Sequence, residues 1–153
     1  MYIRVRISKN DSNTKCKLSW KQRVPGFNDG LVNEEIEKEV SINETEIENF
    51  EYILKNVLHF EIVESYERYR TTFSNQDIEI ALDEYPFGIA LEFENKSDNL
   101  NPEKNVLNYL NELGLDVNDS YKLSWDDKYA ELCKEQDVEM FNEVTFDKPM
   151  PKI

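Results

Sequence analysis

Between Ile78 and Glu94 the chain alternates apolar and acidic residues through two runs that flank the segment Glu84-Tyr85-Pro86-Phe87-Gly88. In the first run Ile78, Ile80 and Leu82 share one parity and Glu79 and Asp83 the other. In the second, Ile89, Leu91 and Phe93 oppose Glu92 and Glu94. Successive strand side chains point to opposite faces, so period two here specifies a hairpin with one apolar face and one carboxylate face. Pro86 and Gly88 belong to its turn. Proline there lies outside both ladders, where its missing N–H costs little, and both residues suit turn conformations. The carboxylate face is either a solvated surface or the wall of a site.

The same period recurs along the chain. Ile3, Val5 and Ile7 alternate with Tyr2, Arg4, Arg6 and Ser8. After a turn signal at Asn10 to Asn13, Cys16, Leu18 and Trp20 alternate with Lys15, Lys17, Ser19 and Lys21. These runs predict a second hairpin. Val24 to Gly30, with Pro25, Gly26 and Gly30, reads as a loop. Glu34 to Ile42 returns as a strand, with Ile36, Val40 and Ile42 against Glu35, Glu37, Glu39 and Ser41. Pattern outweighs composition there, because Glu and Lys are poor strand formers. A further strand is expected from Phe60 through Phe73, with Arg68 and Arg70 among its polar positions.

Helices punctuate the strands. Asn43 or Thr45 is positioned to cap one that runs to about Leu58, with Ile47, Phe50, Ile53, Leu54, Val57 and Leu58 as its apolar stripe. Asn101, Pro102 and Glu103 make a helix start, Val106, Leu107, Leu110 and Leu113 its stripe, and Gly114 its stop. A third helix is expected within Ser120 to Lys134, restarting at a cap on Ser124 with Asp127 three residues on, and turning Leu123, Tyr129, Leu132 and Cys133 inward. Residues 137–153 are acidic and end Lys-Pro-Met-Pro-Lys-Ile, so they are expected to dock loosely or fray, beside a domain of residues 1–136.

A chain of 153 residues is long enough for one domain with a real core. Aromatic residues at 12% argue against disorder despite a net charge of −14. That charge disfavours general binding to nucleic acid or anionic lipid, while leaving room for a local basic pocket. No run of about 18 apolar residues is present, so no membrane partner is expected. The opening Met-Tyr-Ile-Arg-Val-Arg enters a strand pattern without a signal-peptide core. A cytoplasmic location with Cys16 and Cys133 as reduced thiols is the expectation.

Sorting the polar faces by strand separates the charges. Arg4 and Arg6, Lys17 and Lys21, and Arg68 and Arg70 are basic; Glu35, Glu37 and Glu39, Glu79 and Asp83, and Glu92 and Glu94 are acidic. Two architectures accommodate this. An open sheet with helices over its apolar face carries the charges into water, where opposite signs pair across strands. A curled sheet turns them into a barrel interior, where they must pair with one another or with a ligand. Arginine and lysine suit phosphate oxygens, and clustered carboxylates suit Mg²⁺ or Mn²⁺.

At the level of ordered motifs the chain resembles the CYTH, or triphosphate tunnel metalloenzyme, superfamily, which includes class IV adenylate cyclases, thiamine triphosphatases and inorganic triphosphatases. Asp83 to Gly88 followed by Ala90-Leu91-Glu92-Phe93-Glu94 is similar to the family's aspartate strand, turn and Glu-x-Glu strand. Arg68-Tyr69-Arg70-Thr71 is similar to its basic-x-Arg strand, with arginine where lysine is usual. Ile3-Arg4-Val5-Arg6 resembles its Leu-Arg-x-Arg strand, and Leu18-Ser19-Trp20-Lys21 the strand after it. Glu35-Ile36-Glu37 falls where an Arg-x-Glu-x-Glu run is common, with Asn33 at the arginine position. Leu113-Gly114-Leu115-Asp116 and Ser120-Tyr121 resemble the closing helices.

The resemblance implies an α+β fold: a tunnel-like antiparallel β-barrel with a charged interior and helices packed outside. It implies triphosphate binding by Arg4, Arg6, Lys21, Arg68 and Arg70, and Mg²⁺ or Mn²⁺ held by Glu92 and Glu94 with Glu35 or Glu37, Asp83 serving as ligand or as orienter of a basic neighbour. The implied activity is metal-dependent hydrolysis of inorganic, nucleoside or thiamine triphosphate, with cyclisation subordinate. The family's opening Glu-x-Glu-x-Lys strand has no counterpart before Arg4, which leaves the barrel incomplete. Three expectations follow: a truncated chain, one complemented by another chain or a second copy, or a degenerate relative that binds polyphosphate or nucleotide without turnover. A vestigial tunnel on an acidic protein that binds a basic partner is a further alternative. His59 reads as a loop or cap residue, Cys16 as core packing, and Trp20 and Trp125 as core or helix cover.

Overall fold

The computed structural model describes residues 2–24, 34–98 and 100–153. The expected loop beyond Val24, and Asn33, lie outside the described residues. The fold is mixed α+β and gathers into two compact units, residues 1–62 and 63–153.

In the first unit β1 (Tyr2–Asn10), β2 (Asn13–Arg23) and β3 (Glu35–Ile42) form an antiparallel sheet in that order. Asn10 Oδ1 accepts from the backbone N–H of Ser12 and Asn13 and closes the turn between β1 and β2. The register sets Arg4 opposite Ser19, Arg6 opposite Lys17, Lys21 opposite Glu37 and Ser19 opposite Glu39, so the charged positions of the three strands share one face. A short 3₁₀ turn leads into α1 (Ile47–Tyr52), which continues as a π-helical turn over Ile53–Val57. The expected stripe is only partly buried. Ile47 is enclosed, while Ile53, Val57 and Leu58 are exposed, because the wider turn rotates the last residues off the face that Ile47 sets. His59 follows at φ 55°, in the terminating role the sequence suggested.

The second unit holds an antiparallel sheet of β5 (Tyr69–Ser74), β6 (Ile78–Tyr85) and β7 (Gly88–Asn95), with β6 central. α2 (Pro102–Glu112) is capped by Asn101, whose side chain accepts from Lys104 N–H. It ends in a Schellman pair, Leu115 N–H to Leu110 O and Gly114 N–H to Asn111 O, which requires the φ of +70° at Gly114. α3 (Trp125–Glu135) opens on the reciprocal Ser124–Asp127 capping box, and Asp137 at φ 53° closes it in the same left-handed conformation. Tyr129, Leu132 and Cys133 turn inward as expected, but Leu123, which precedes the cap, is exposed.

Two expectations are corrected here. The run from Phe60 to Val63 is not a strand. Strand structure begins with β4 (Ser65–Tyr66), and Ile62 and Val63 are exposed. Residues 137–153 do not fray. They contribute β8 (Glu143–Val144), which pairs in parallel with β4, and Val144 and Pro151 are buried. Val144 joins Tyr85, Phe87, Tyr129, Leu132 and Cys133 in the core of this unit. Ile153 N–H donates to Phe87 O at 3.0 Å and Lys152 Nζ to Pro86 O at 2.6 Å, so the tail straps the turn between β6 and β7. Cys16 and Cys133 are buried free thiols. Among the described residues no helix is long and apolar enough to cross a membrane.

Candidate functional site

Both sheets gather most of their charges on one face, and those charges are organised. On the first sheet Lys21 Nζ lies 3.1 Å from Glu37 and 3.5 Å from Glu35, and Arg4 lies 3.7 Å from Glu37. Arg6 pairs with Glu39 at 3.2 Å, and Lys17 reaches the other oxygen of the same carboxylate. Ser19 is fully buried between these strands and donates its hydroxyl to Glu39 at 2.9 Å. The Lys17 ammonium, helped by Ser19 and Arg6 against the effect of burial, holds the Glu39 carboxyl at about 2, below its ordinary 4.5. Among the described residues this network joins four cations to three carboxylates. Arg4 Nε is buried there without a hydrogen-bond partner.

On the second sheet the centre is Asp83, fully buried. Arg70 stands directly opposite it on β5 and engages both oxygens, Nε at 2.6 Å and Nη2 at 2.5 Å. Arg68 donates to the same carboxylate at 2.8 Å and to the Tyr85 hydroxyl at 3.0 Å, with its guanidinium carbon 5.8 and 5.9 Å from the Tyr66 and Tyr85 rings. Glu92, on the next strand, completes the cluster at 2.5 Å from Arg70. Burial opposes the Arg70 charge, but the Asp83 and Glu92 carboxylates together outweigh it and raise the Arg70 pKa further, while burial pushes the Tyr85 hydroxyl well above its usual value. Glu94 and Glu79 both face Lys96, at 2.8 and 3.9 Å.

Exposure does not follow polarity on these sheets. The side chains of Arg4 and Lys21 are 20% and 17% exposed and those of Glu92 and Glu94 54% and 65%, while on the apolar faces Cys16 and Ile78 are buried and Ile7, Val40, Phe73 and Ile89 are exposed. The network accounts for the low exposure of its cations, since their heads pair with the carboxylates beside buried Ser19.

The sequence-predicted residues therefore fall into two clusters. Arg4, Arg6, Lys21, Glu35 and Glu37 share the first, and Arg68, Arg70, Asp83 and Glu92 the second, with Glu94 two residues further along the same face of β7. Lys17, Ser19 and Glu39 belong to the first cluster as well. Their alternation with Lys21 and Glu37 was the available signal. Tyr66 and Tyr85 gave none, because their role comes from packing on Arg68.

The carboxylates assigned to a metal by resemblance are each engaged with a cation. Asp83 is enclosed by two guanidinium groups, Glu92 by Arg70, Glu94 by Lys96, and Glu35 and Glu37 by Lys21. Among the described residues no three carboxylate, imidazole or thiol groups gather as a ligand set. A divalent ion needs several oxygens turned to one point, so these carboxylates would have to exchange their lysine and arginine partners to hold one. Comparison with known family models, curated proteins and solved structures finds no match for the chain.

Proposed function

We propose that the chain binds a polyphosphate, most simply a triphosphate, through the cations of its charged sheet faces. Arg4, Arg6 and Lys21 serve in the first unit, and Arg68 and Arg70 in the second. The observation that carries this reading is the first network, which among the described residues holds one more cation than carboxylate and keeps a buried Arg4 Nε with no acceptor. An anion with several oxygens satisfies both conditions, and charge-assisted hydrogen bonds to arginine are the strong ones. The closed, tunnel-like barrel with helices outside belongs to the same proposal, as does membership of the triphosphate tunnel superfamily. The low exposure of Arg4 and Lys21 on the charged face, beside exposed Ile7 and Val40 on the other, supports the tunnel reading.

Metal-dependent triphosphate hydrolysis is the second reading. It is favoured by Glu92 and Glu94, which alternate on one face of β7 and keep 54% and 65% of their side-chain surface exposed. The two readings part in one assay. Binding of tripolyphosphate without phosphate release, in Mg²⁺ or Mn²⁺, identifies a binding module; release abolished by Glu92→Gln identifies a hydrolase. Neither binding nor release contradicts both.

A further inference from the structure

The second unit contains a cavity of about 150 Å³ whose walls include Glu64, Trp125, Asp126, Tyr129, Met140 and Phe141. None of the charged-face residues lines it. We propose that this cavity binds an organic cation, a guanidinium or ammonium head on an aliphatic stem.

Three observations converge on that class. The first is charge. The carboxylates of the sheet faces are paired with lysine or arginine, but among the described residues neither Glu64 nor Asp126 has such a partner. Burial, with Asp126 and Asp127 close by, pushes the Glu64 carboxyl above its usual value, so the group is under repulsion that a cation relieves.

The second is the wall chemistry. Aromatic rings and a thioether attract a soft, polarisable cation, and they offer too few oxygens for a hard metal ion. Phe141 already carries an ammonium, since Lys148 Nζ lies 5.5 Å from its ring centroid and is held there by Glu143 at 2.9 Å. The third is shape. The volume matches an engineered cavity of about 150 Å³ that takes up benzene, which leaves room for a planar guanidinium and part of its stem. The walls are set in advance: Tyr66 packs on Trp125 with centroids 4.2 Å apart, and the Tyr129 hydroxyl accepts from Phe141 N–H at 3.0 Å. Preorganisation of this kind lowers the cost of binding.

The test is a fluorescence titration of the full chain carrying Trp20→Phe, which leaves Trp125 as the reporter. Agmatine and the peptide acetyl-Gly-Arg-Gly-amide are the probes, with sodium chloride at matched ionic strength as control. A saturable change is expected with either probe, at least about tenfold weaker in Glu64→Gln/Asp126→Asn, the loss of a charge-assisted hydrogen bond. Glu112→Gln, which removes the same charge from an exposed part of α2, should leave the affinity unchanged. A tighter fit to the peptide points to a protein-borne side chain, and a tighter fit to agmatine to a free amine. Absence of saturation with both probes, a response equal to that of sodium chloride, or unchanged affinity in the double variant overturns the proposal. If the double variant does not fold, Glu64→Gln alone gives the same readout, because glutamine keeps the size and shape of the side chain and removes only its charge.

Discussion

Removing the Asp83 carboxylate should destabilise the second unit far more than removing any exposed acid. Asp83 is fully buried and accepts from Arg68, from both Nε and Nη2 of Arg70, and from Tyr85 at 3.3 Å. In Asp83→Ala, Arg70 keeps Glu92 at 2.5 Å, but Arg68 is left with Glu92 at 3.7 Å, the Tyr85 hydroxyl at 3.0 Å and two aromatic rings. Breaking a buried pair by deleting one partner costs about 3–5 kcal/mol. The retained Glu92 contact and the partial exposure of both arginines reduce that to about 2–3 kcal/mol. With a urea dependence of about 1–3 kcal/mol per molar, the unfolding midpoint should fall by about 0.7–3 M. Trp125 fluorescence in a Trp20→Phe background reports this unit specifically. Asp83→Asn keeps the shape and one acceptor but not the charge, and should cost about 1.5–2 kcal/mol. Asp83→Ala and Arg70→Ala should couple by about 1 kcal/mol or more in a double-mutant cycle. An unchanged midpoint in Asp83→Ala, or a loss no larger than that of Glu92→Ala, refutes the view that this cluster is built around the buried carboxylate.

Three other outcomes are expected. The Glu39 carboxyl titrates at about 2 when folded and 4.5 otherwise, so its stabilisation is full above about pH 4.5 and is lost as pH falls towards 2. After solvent screening it amounts to about 1 kcal/mol, and Glu39→Gln should remove that slope from an acid-unfolding curve of the first unit. Val144→Ala should cost about 1–3 kcal/mol in urea unfolding if the tail is core, where a frayed tail would give almost nothing. Asn105, buried, donates to Asp77 O at 2.8 Å and Asn95 Oδ1 at 2.7 Å, so Asn105→Ala should cost about 1–3 kcal/mol and speed amide exchange near Asn95.

What could be read beforehand was whatever is encoded locally. Period-two alternation placed β1, β2, β3, β6 and β7 and the faces on which their charges lie, because the strand pleat maps parity directly onto side. Asn101, Gly114 and the Ser124–Asp127 box marked helix ends for the same reason: each satisfies backbone groups within a few residues of itself. The parallel pairing of β4 with β8 was not legible. It joins Ser65 to Glu143 and Tyr66 to Val144 across most of the second unit, in two-residue strands too short to show a period. The π turn that rolls Val57 and Leu58 off the buried stripe was equally hidden, since their spacing fits an α-helix. In the candidate site, charge sorting identified the cations and acids. It left open whether they pair with one another or with a ligand, and which meets which, because cross-strand register is decided by turns and partners rather than by either strand alone. Asp83 is the clearest case. Its position in the hairpin was evident, but the sequence left it as metal ligand or basic-group orienter, and in the fold it is the anchor for two arginines.

The most direct test of the account is calorimetric titration of the full chain with sodium tripolyphosphate at low ionic strength and without added divalent metal. We predict saturable binding that weakens with salt as phosphate–cation contacts do, is reduced at least about tenfold by Arg4→Ala, and is unchanged by Glu112→Gln. No saturable heat, or binding indifferent to Arg4→Ala, would contradict it.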